Sequence, residues 1–289
     1  MLPSKSFYVS FLLSTIALSG FTQEDSARLA LNGMCTTFLN LKAIQVKQLT
    51  VERVNETMQK SLAEAKVQFE PKRKIYIRAV DDEGEVASEV LYVEGENENE
   101  ALVNPVSFPY INLDLDPNGN IMRKNRHHTI FEAGGKYLAQ VIKESVDKAI
   151  EVGEFKKRFF YKGQVEHKGY TCHHVEIYNA DYALDNYTVK SSEDVVDIAR
   201  KLMVPEYKIL EANEDLDHYD DVSEGDQITV PRFYGKRIVL YIDTHTFIPW
   251  YQRIEDEKGV FAEYFMKACY LNPEFTEETF SPENEAYGF

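Results

Sequence analysis

Short strand-like segments joined by tight turns recur along this 289-residue sequence and constrain its fold more than any other feature. Residues 61–69 alternate apolar and polar side chains, which is the period of a strand with one buried face. Turn residues such as Lys168-Gly169 and Lys258-Gly259 separate strand-like segments. The other predicted strands are residues 74–80, 86–94, 159–165, 170–178, 237–243, 248–256 and 260–271. Together they predict a large antiparallel sheet.

Two helices accompany this sheet. Residues 26–41 and 137–150 carry apolar side chains at helical spacing, so one helix precedes the sheet and another lies within it. The acidic tail from Asn272 is predicted to be irregular. Because runs of antiparallel strands are accompanied by one helix before them and one among them, the fold class is α+β.

The N-terminus has the organisation of an export signal. Lys5 precedes an apolar stretch over residues 7–20 with small residues near its end, so residues 1–22 are predicted to be a signal peptide cleaved between Gly20 and Glu24. An uncleaved anchor is the alternative. No other segment is long enough to span a membrane, which predicts an exported, periplasmic protein without an integral membrane segment after cleavage. The net charge of −16 argues against nucleic acid as a partner.

Apolar side chains at helical spacing occur again between the predicted strands 170–178 and 237–243. Residues 187–190 and 226–230 are strand-like, and two helices are predicted between them, with Ser191 or Ser192 as the first cap. Pro205 opens the second helix, where its missing N–H is harmless. The order is β-α-α-β within about 45 residues, a length typical of a small inserted unit.

Residues 187–231 resemble a LysM module, and the domain so defined spans residues 187–232. The resemblance implies an N-acetylglucosamine polymer, peptidoglycan or chitin, as partner, held between two loops. On this sequence the glycan-binding loops are Ser191, Ser192, Glu193, Asp194 and Val195, and Ala212, Asn213, Glu214, Asp215 and Leu216. The Gly-Asp-Thr that the family usually has after its first strand is Ser192-Glu193-Asp194 here, a departure that would weaken sugar binding if a positive φ is needed.

The remaining residues, 24–186 and 235–289, resemble a bacterial domain family of unknown function with the fold of the LolA and LolB lipoprotein carriers. Residues 69–76, 126–134 and 240–249 carry this resemblance. It implies a curved antiparallel sheet, a half-barrel, with helices against its concave face. That face either shelters an apolar ligand or a lipoprotein, or is simply the filled core.

Candidate catalytic groups are few, so we expect no enzyme, no cofactor and no metal. His127-His128 and His173-His174 suggest metal ligands, but neighbours on a strand point to opposite faces and each pair offers one ligand to a site. Cys172 lies in a strand pattern, without the helix N-terminus or base that would activate a thiol. Cys172 and Cys269 are the most plausible disulfide pair, although buried free thiols are the default.

The sequence thus favours an exported peptidoglycan-binding protein in which the LysM-like insert tethers a LolA-like sheet domain. One alternative is a periplasmic lipid or lipoprotein carrier in which the insert is incidental. The other is a cell-wall hydrolase with an unrecognised site.

Overall fold

A computed structural model describes residues 22–81, 83–106, 108, 110–124 and 126–289; the predicted signal peptide therefore lies outside the described residues apart from Thr22. Thirteen strands and six α-helices are described. The strands are β1 Ala43–Val54, β2 Thr57–Gln68, β3 Lys74–Val80, β4 Val86–Val93, β5 Ala101–Asn104, β6 Leu113–Leu115, β7 Phe159–His167, β8 Tyr170–Tyr178, β9 Leu184–Thr188, β10 Gln227–Pro231, β11 Arg237–Asp243, β12 Pro249–Asp256 and β13 Gly259–Leu271. The helices are α1 Gln23–Leu39, α2 Asn120–Arg123, α3 Lys136–Glu151, α4 Phe155–Arg158, α5 Val195–Leu202 and α6 Glu206–Glu211.

Eleven strands form one curved antiparallel sheet in the order β6-β5-β4-β3-β2-β1-β13-β12-β11-β8-β7. Two-residue turns set several registers: Asn55 and Glu56, both with positive φ, place Val54 opposite Thr57 between β1 and β2. The predicted α+β class and large antiparallel sheet are confirmed. Strand β1 lies at the centre, although no strand was predicted over its residues.

Helices α1 and α3 cover part of one face of the sheet. The buried face of α1 (Ala27, Leu31, Met34, Phe38) meets that of α3 (Ala139, Ile142, Val146) and the apolar side chains of the strands in a single core. Gly134 lies beside this core with φ +89°, and a Cβ there would come within 2.7 Å of Ile44 Cγ2. Glycine therefore lets the chain before α3 approach β1 closely.

The acidic C-terminal tail packs on the opposite face of the sheet rather than remaining free. Phe280 is buried with Tyr76, Leu91 and Val93, and the ring of Tyr287 stacks on Tyr76 at 3.8 Å between centroids. The backbone N–H of Gly288 donates to Glu89. The prediction of irregular structure holds for most of the tail, which contains one 3-10 turn, but the tail is anchored by aromatic burial.

Residues 184–231 form a β-α-α-β unit with its own small sheet and core. Strand β9 pairs antiparallel with β10, and α5 and α6 lie between them in sequence. The core side chains of the unit are Val189, Val195, Ile198, Ala199, Val204, Ile209, Tyr219, Ile228 and Val230. The unit interrupts the chain between β8 and β11, which pair with each other. The predicted element order is thus present, and we call residues 184–231 the insert.

Two local predictions are wrong, and the alternative of a Cys172–Cys269 disulfide is excluded in favour of the default, free thiols. Helix α5 is capped by Asp194, whose side chain accepts from the N–H of Asp197, rather than by Ser191 or Ser192. His127-His128 lies in a bend and not on a strand. Cys172 on β8 and Cys269 on β13 are free thiols. Strands β12 and β11 lie between β13 and β8 in the sheet, and three strand spacings of about 4.8 Å each exceed the reach of a disulfide.

Within the described ranges, the chain has no helix that is both long enough and apolar enough to cross a membrane.

Candidate functional site

The predicted glycan-binding residues occupy two loops of the insert, and several of them hold the fold together. Val195 is fully buried, Asp194 caps α5, and Asn213 bonds Thr229 through both its amide nitrogen and its oxygen. Glu193 accepts from Tyr187 Oη at 2.7 Å and also pairs with Lys201. The exposed members are Ser191, Ser192, Glu214 and Asp215; Ala212 and Leu216 are half-buried. Nothing in these contacts identifies a bound sugar.

Ser192 has a left-handed backbone with φ 62°. A residue with a Cβ is disfavoured there, so Ser192→Gly is expected to raise the free energy of unfolding by about 0.5–1 kcal/mol. Urea denaturation measures this, and Ser192→Ala, which keeps the Cβ, should give no gain. Equal stability of the Gly and Ala variants would contradict the expectation.

The insert is fixed to the sheet domain by a charge network, which we call the docking network: the buried Arg53, Lys208 and Asp256, the mostly buried Glu211 and the exposed Glu257. Lys208 Nζ lies 2.8 Å from Asp256, 2.8 Å from Glu211 and 2.6 Å from Glu257. Arg53 bonds Glu211 through Nε at 2.9 Å and also pairs with Asp256. Because α6 supplies Lys208 and Glu211 while β1 and β12 supply Arg53 and Asp256, the network joins the insert to the sheet.

A cavity of about 480 Å³ opens between the sheet and the chain before α3. Its volume lies in the range of small-molecule sites. Apart from Lys60 on β2, the residues lining it from β1 and β2 alternate, as side chains on one face must. From β1 and β2 they are Val46, Gln48, Thr50 and Glu52, and Gln59, Ser61, Ala63 and Ala65, with Ile77 from β3 and Tyr264 and Met266 from β13. Across it lie Met122, Lys124, Arg126, His128, Ile130, Ala133, Tyr137 and Leu138, among others. We call this space the sheet cavity.

Strand register shows that the sheet cavity changes from apolar to polar along its length. Val46 lies opposite Ala65, which in turn faces Ile77, so one end is apolar. Two steps further, Gln48 and Ala63 are opposite each other. At the other end the pairs are Thr50 with Ser61 and Glu52 with Gln59. The lining therefore suits a ligand with an apolar part and a polar part.

Two residues that line the sheet cavity, His128 and Glu132, form a cluster with Glu206. The potential ligand atoms of the three residues lie within 4.8 Å of one another. Imidazole and carboxylate are common metal donors. Arg123 lies 2.8 Å from Glu206, however, and Arg200 pairs with Glu132. Two guanidinium charges already compensate the carboxylates, so the cluster is better suited to holding α5 and α6 against the cavity than to binding a dication.

Burial is the largest influence on the pKa of Glu206 in this cluster. Desolvation raises its pKa to about 7, since the charge of Arg123 only partly offsets the cost of burying a carboxylate, and Glu132 adds repulsion. His128 Nδ1 is buried without a hydrogen-bond partner, and burial lowers its pKa. His127, stacked on Phe261 and Tyr207, has its pKa lowered to about 4, mainly by burial.

Glu206→Gln is expected to change how stability depends on pH. The pKa of Glu206 is about 7 in the folded chain and 4.5 in an exposed reference, so the folded state holds the proton between these values. This contribution is fully present below pH 4.5 and is lost as the pH rises through 7, by up to about 3 kcal/mol. Urea denaturation at pH 5.0 and 7.5 measures it: the difference in unfolding free energy between wild type and variant should fall with rising pH.

The matched control for this prediction is Glu214→Gln, an exposed carboxyl in the same insert. It should leave the pH dependence of the wild type unchanged. Parallel pH profiles for wild type and Glu206→Gln would show that Glu206 is ionised throughout and would contradict the prediction.

Among the described residues, neither the three cysteines nor the His173-His174 pair forms a catalytic arrangement. Burial raises the pKa of Cys172 to about 11, and burial raises the pKa of Cys35 and of Cys269 to about 12, so none is a ready thiolate. His173 contacts Tyr161 Oη at 3.1 Å, while His174 lies 3.2 Å from Glu176 on the other face of β8.

A ligand cavity under the sheet was one of the alternatives that the sequence left open, but the sequence identified neither the residues of the sheet cavity nor the docking network. Their residues come from segments separated by up to about two hundred positions, such as Arg53 and Asp256. The available signal was the run of small and polar side chains at alternate positions 59, 61, 63 and 65 of β2, since an aromatic core face would carry larger side chains.

Fold and site together define an α+β protein whose curved antiparallel sheet encloses a ligand-sized cavity. A family described as "Protein of unknown function (DUF1571)" matches residues 44–210, more than half of the sequence. The chain belongs to this family. The same search gives no evidence of a LysM domain.

No curated protein matches the chain. Among solved structures, MucB is similar at 10% identity and a TM-score of 0.44, over 90% of this chain and 63% of MucB. The lipoprotein LppX of Mycobacterium tuberculosis is similar at 8% identity and 0.38, over 87% and 97%. A LolA superfamily protein of Nitrosomonas europaea is similar at 7% identity and 0.32, over 89% and 98%. The chain thus spans less than two thirds of MucB.

Proposed function

We propose that this protein binds an amphipathic small molecule with an acyl chain in the sheet cavity, as an exported carrier or sensor without enzymatic activity. The observation that carries the proposal is the cavity itself, about 480 Å³ between sheet and helix, with an apolar end at Val46, Ala65 and Ile77. Apolar burial would supply most of the affinity, because each buried methylene contributes about 0.8 kcal/mol. The polar end would orient the ligand.

The experiment is displacement of an uncharged fluorescent probe, N-phenyl-1-naphthylamine, by fatty acids of increasing chain length. Apolar burial predicts that affinity rises with each added methylene until the cavity is full, and then levels off. Absence of probe binding, or displacement that does not depend on chain length, would contradict the proposal.

A second candidate is binding of an N-acetylglucosamine polymer such as peptidoglycan by the insert. The β-α-α-β order and the exposure of Ser191, Ser192, Glu214 and Asp215 favour it. For a shallow site the affinity would be millimolar to micromolar, about −4 to −8 kcal/mol.

Sedimentation with purified sacculi tests the second candidate. Because the docking network joins the insert to the sheet, a point variant is preferable to deletion. Ser191→Trp should reduce the sedimented fraction, whereas Ser223→Trp, exposed elsewhere on the insert, should not. Equal sedimentation of both variants would exclude these loops as the site, and muropeptide release in the same assay would instead support a hydrolase.

A further inference from the structure

Two exposed cations lie at the sheet cavity without acidic partners. Lys124 follows α2 and Arg126 is two residues further, and both line the cavity. Both side chains are exposed. Within the described part of the chain, neither side chain has a salt bridge or hydrogen bond. We call these two residues the cationic rim.

The acidic side chains that line the same cavity are already satisfied by other groups. Glu52 accepts from Tyr264 Oη at 2.9 Å and from the backbone N–H of His127 at 3.2 Å. Glu132 pairs with Arg200 and accepts from Thr129 Oγ1 at 2.6 Å. Hydrogen bonds and an ion pair within the protein therefore compensate the charges of Glu52 and Glu132. Among the described residues, the charges at the cavity that lack such a partner are the positive ones of Lys124 and Arg126.

A positive rim is unusual in this chain. The sequence carries 48 acidic and 32 basic residues, so the net charge of −16 makes the chain as a whole repel anions. A local pair of unpaired cations beside a ligand-sized cavity would focus an anionic group there. The ammonium of Lys124 and the planar guanidinium of Arg126 both donate charge-assisted hydrogen bonds to carboxylate or phosphate oxygens.

From these contacts we infer that the ligand of the sheet cavity carries an anionic headgroup, a carboxylate or a phosphate, bound by Lys124 and Arg126 while its acyl chain lies toward Val46 and Ala65. This inference rests on the proposed function and names the ligand class. An uncharged amphiphile would leave the two cations in water and gain nothing from them, and a cationic one would be repelled.

The test compares decanoate with decan-1-ol, which share a chain length and differ in charge. Titrations at pH 7.5 are made with the wild type and with Lys124→Gln/Arg126→Gln. Two charge-assisted contacts predict that the wild type binds decanoate about tenfold more tightly than decan-1-ol, and that the double variant loses this preference. Its affinity for decan-1-ol should be unchanged. High salt should weaken decanoate binding to the wild type only.

The matched control is Lys148→Gln/Lys190→Gln, which removes two exposed charges away from the cavity and should keep the preference for decanoate. Equal affinity of the wild type for both ligands would overturn the anionic headgroup while leaving the proposed function intact. Binding of neither ligand would overturn both. Inorganic phosphate serves as a further probe: if it binds as tightly as decanoate and depends on the same cations, the rim is a site for free anions and not for a lipid headgroup.

Discussion

Ala63→Phe is expected to lower the affinity of the protein for decanoate at least about tenfold. Ala63 lies on the cavity face of β2, opposite Gln48 on β1 and Ala79 on β3, midway between the apolar and polar ends. A phenyl ring there would occupy the space of the acyl chain. Because Ala63 is only half-buried and its side chain faces open volume, we expect the cost in stability to stay below about 1–3 kcal/mol, the usual cost of overpacking.

The control is Met58→Phe on the outward face of the same strand, where the side chain is 46% exposed. This substitution adds an aromatic ring to β2 without entering the cavity and should leave decanoate affinity unchanged. Urea denaturation of both variants verifies that the sheet is intact. Unchanged decanoate affinity in a folded Ala63→Phe variant would mean that the ligand does not enter the sheet cavity.

Lys208→Met is expected to destabilise the protein by about 3–5 kcal/mol, since it removes one cation of a largely buried ion network and leaves Asp256 and Glu211 with Arg53 as their main compensating charge. Lys208 is 2% exposed and contacts Asp256, Glu211 and Glu257. Burial opposes ionisation of Asp256, but the hydrogen bonds from Arg53 and Lys208 outweigh it and lower its pKa, so the carboxylate stays charged. Without Lys208, that charge relies on Arg53 alone.

Urea denaturation measures this loss, and limited proteolysis across residues 212–225 reports whether the insert leaves the sheet. The control is Lys143→Met, which removes an exposed i,i+4 pair with Asp147 and should change stability by less than about 0.5 kcal/mol. A Lys208→Met variant as stable and as protease-resistant as the wild type would show that apolar contacts, not the docking network, fix the insert.

Strands and turns were the most predictable features, because their signals are local. Alternation over residues 61–69 indicated β2 against its helix propensity, and β3 and β8 have the predicted bounds. The order of elements in the insert was also predictable, since Gly225, with φ 94°, and Pro205 mark its turn and its second helix. Asp194 replaced the predicted serine caps because its carboxylate reaches the third residue of α5.

The candidate site was not predictable, because charged residues that become buried look like surface residues in a sequence. Lys208 and Arg53 are 2% and 7% exposed, yet their neighbours in sequence give no sign of it. Only the tertiary fold, in which β13 pairs with both β1 and β12 and α6 packs beside them, places their charges in contact. The insert is consequently a unit docked on the sheet domain.

The most direct test is native mass spectrometry of the protein purified without detergent and then incubated with decanoate. The account predicts one bound decanoate per chain, or one co-purified acyl compound already in its place. A mass equal to that of the bare polypeptide, both before and after incubation with decanoate, would contradict a ligand-binding sheet cavity.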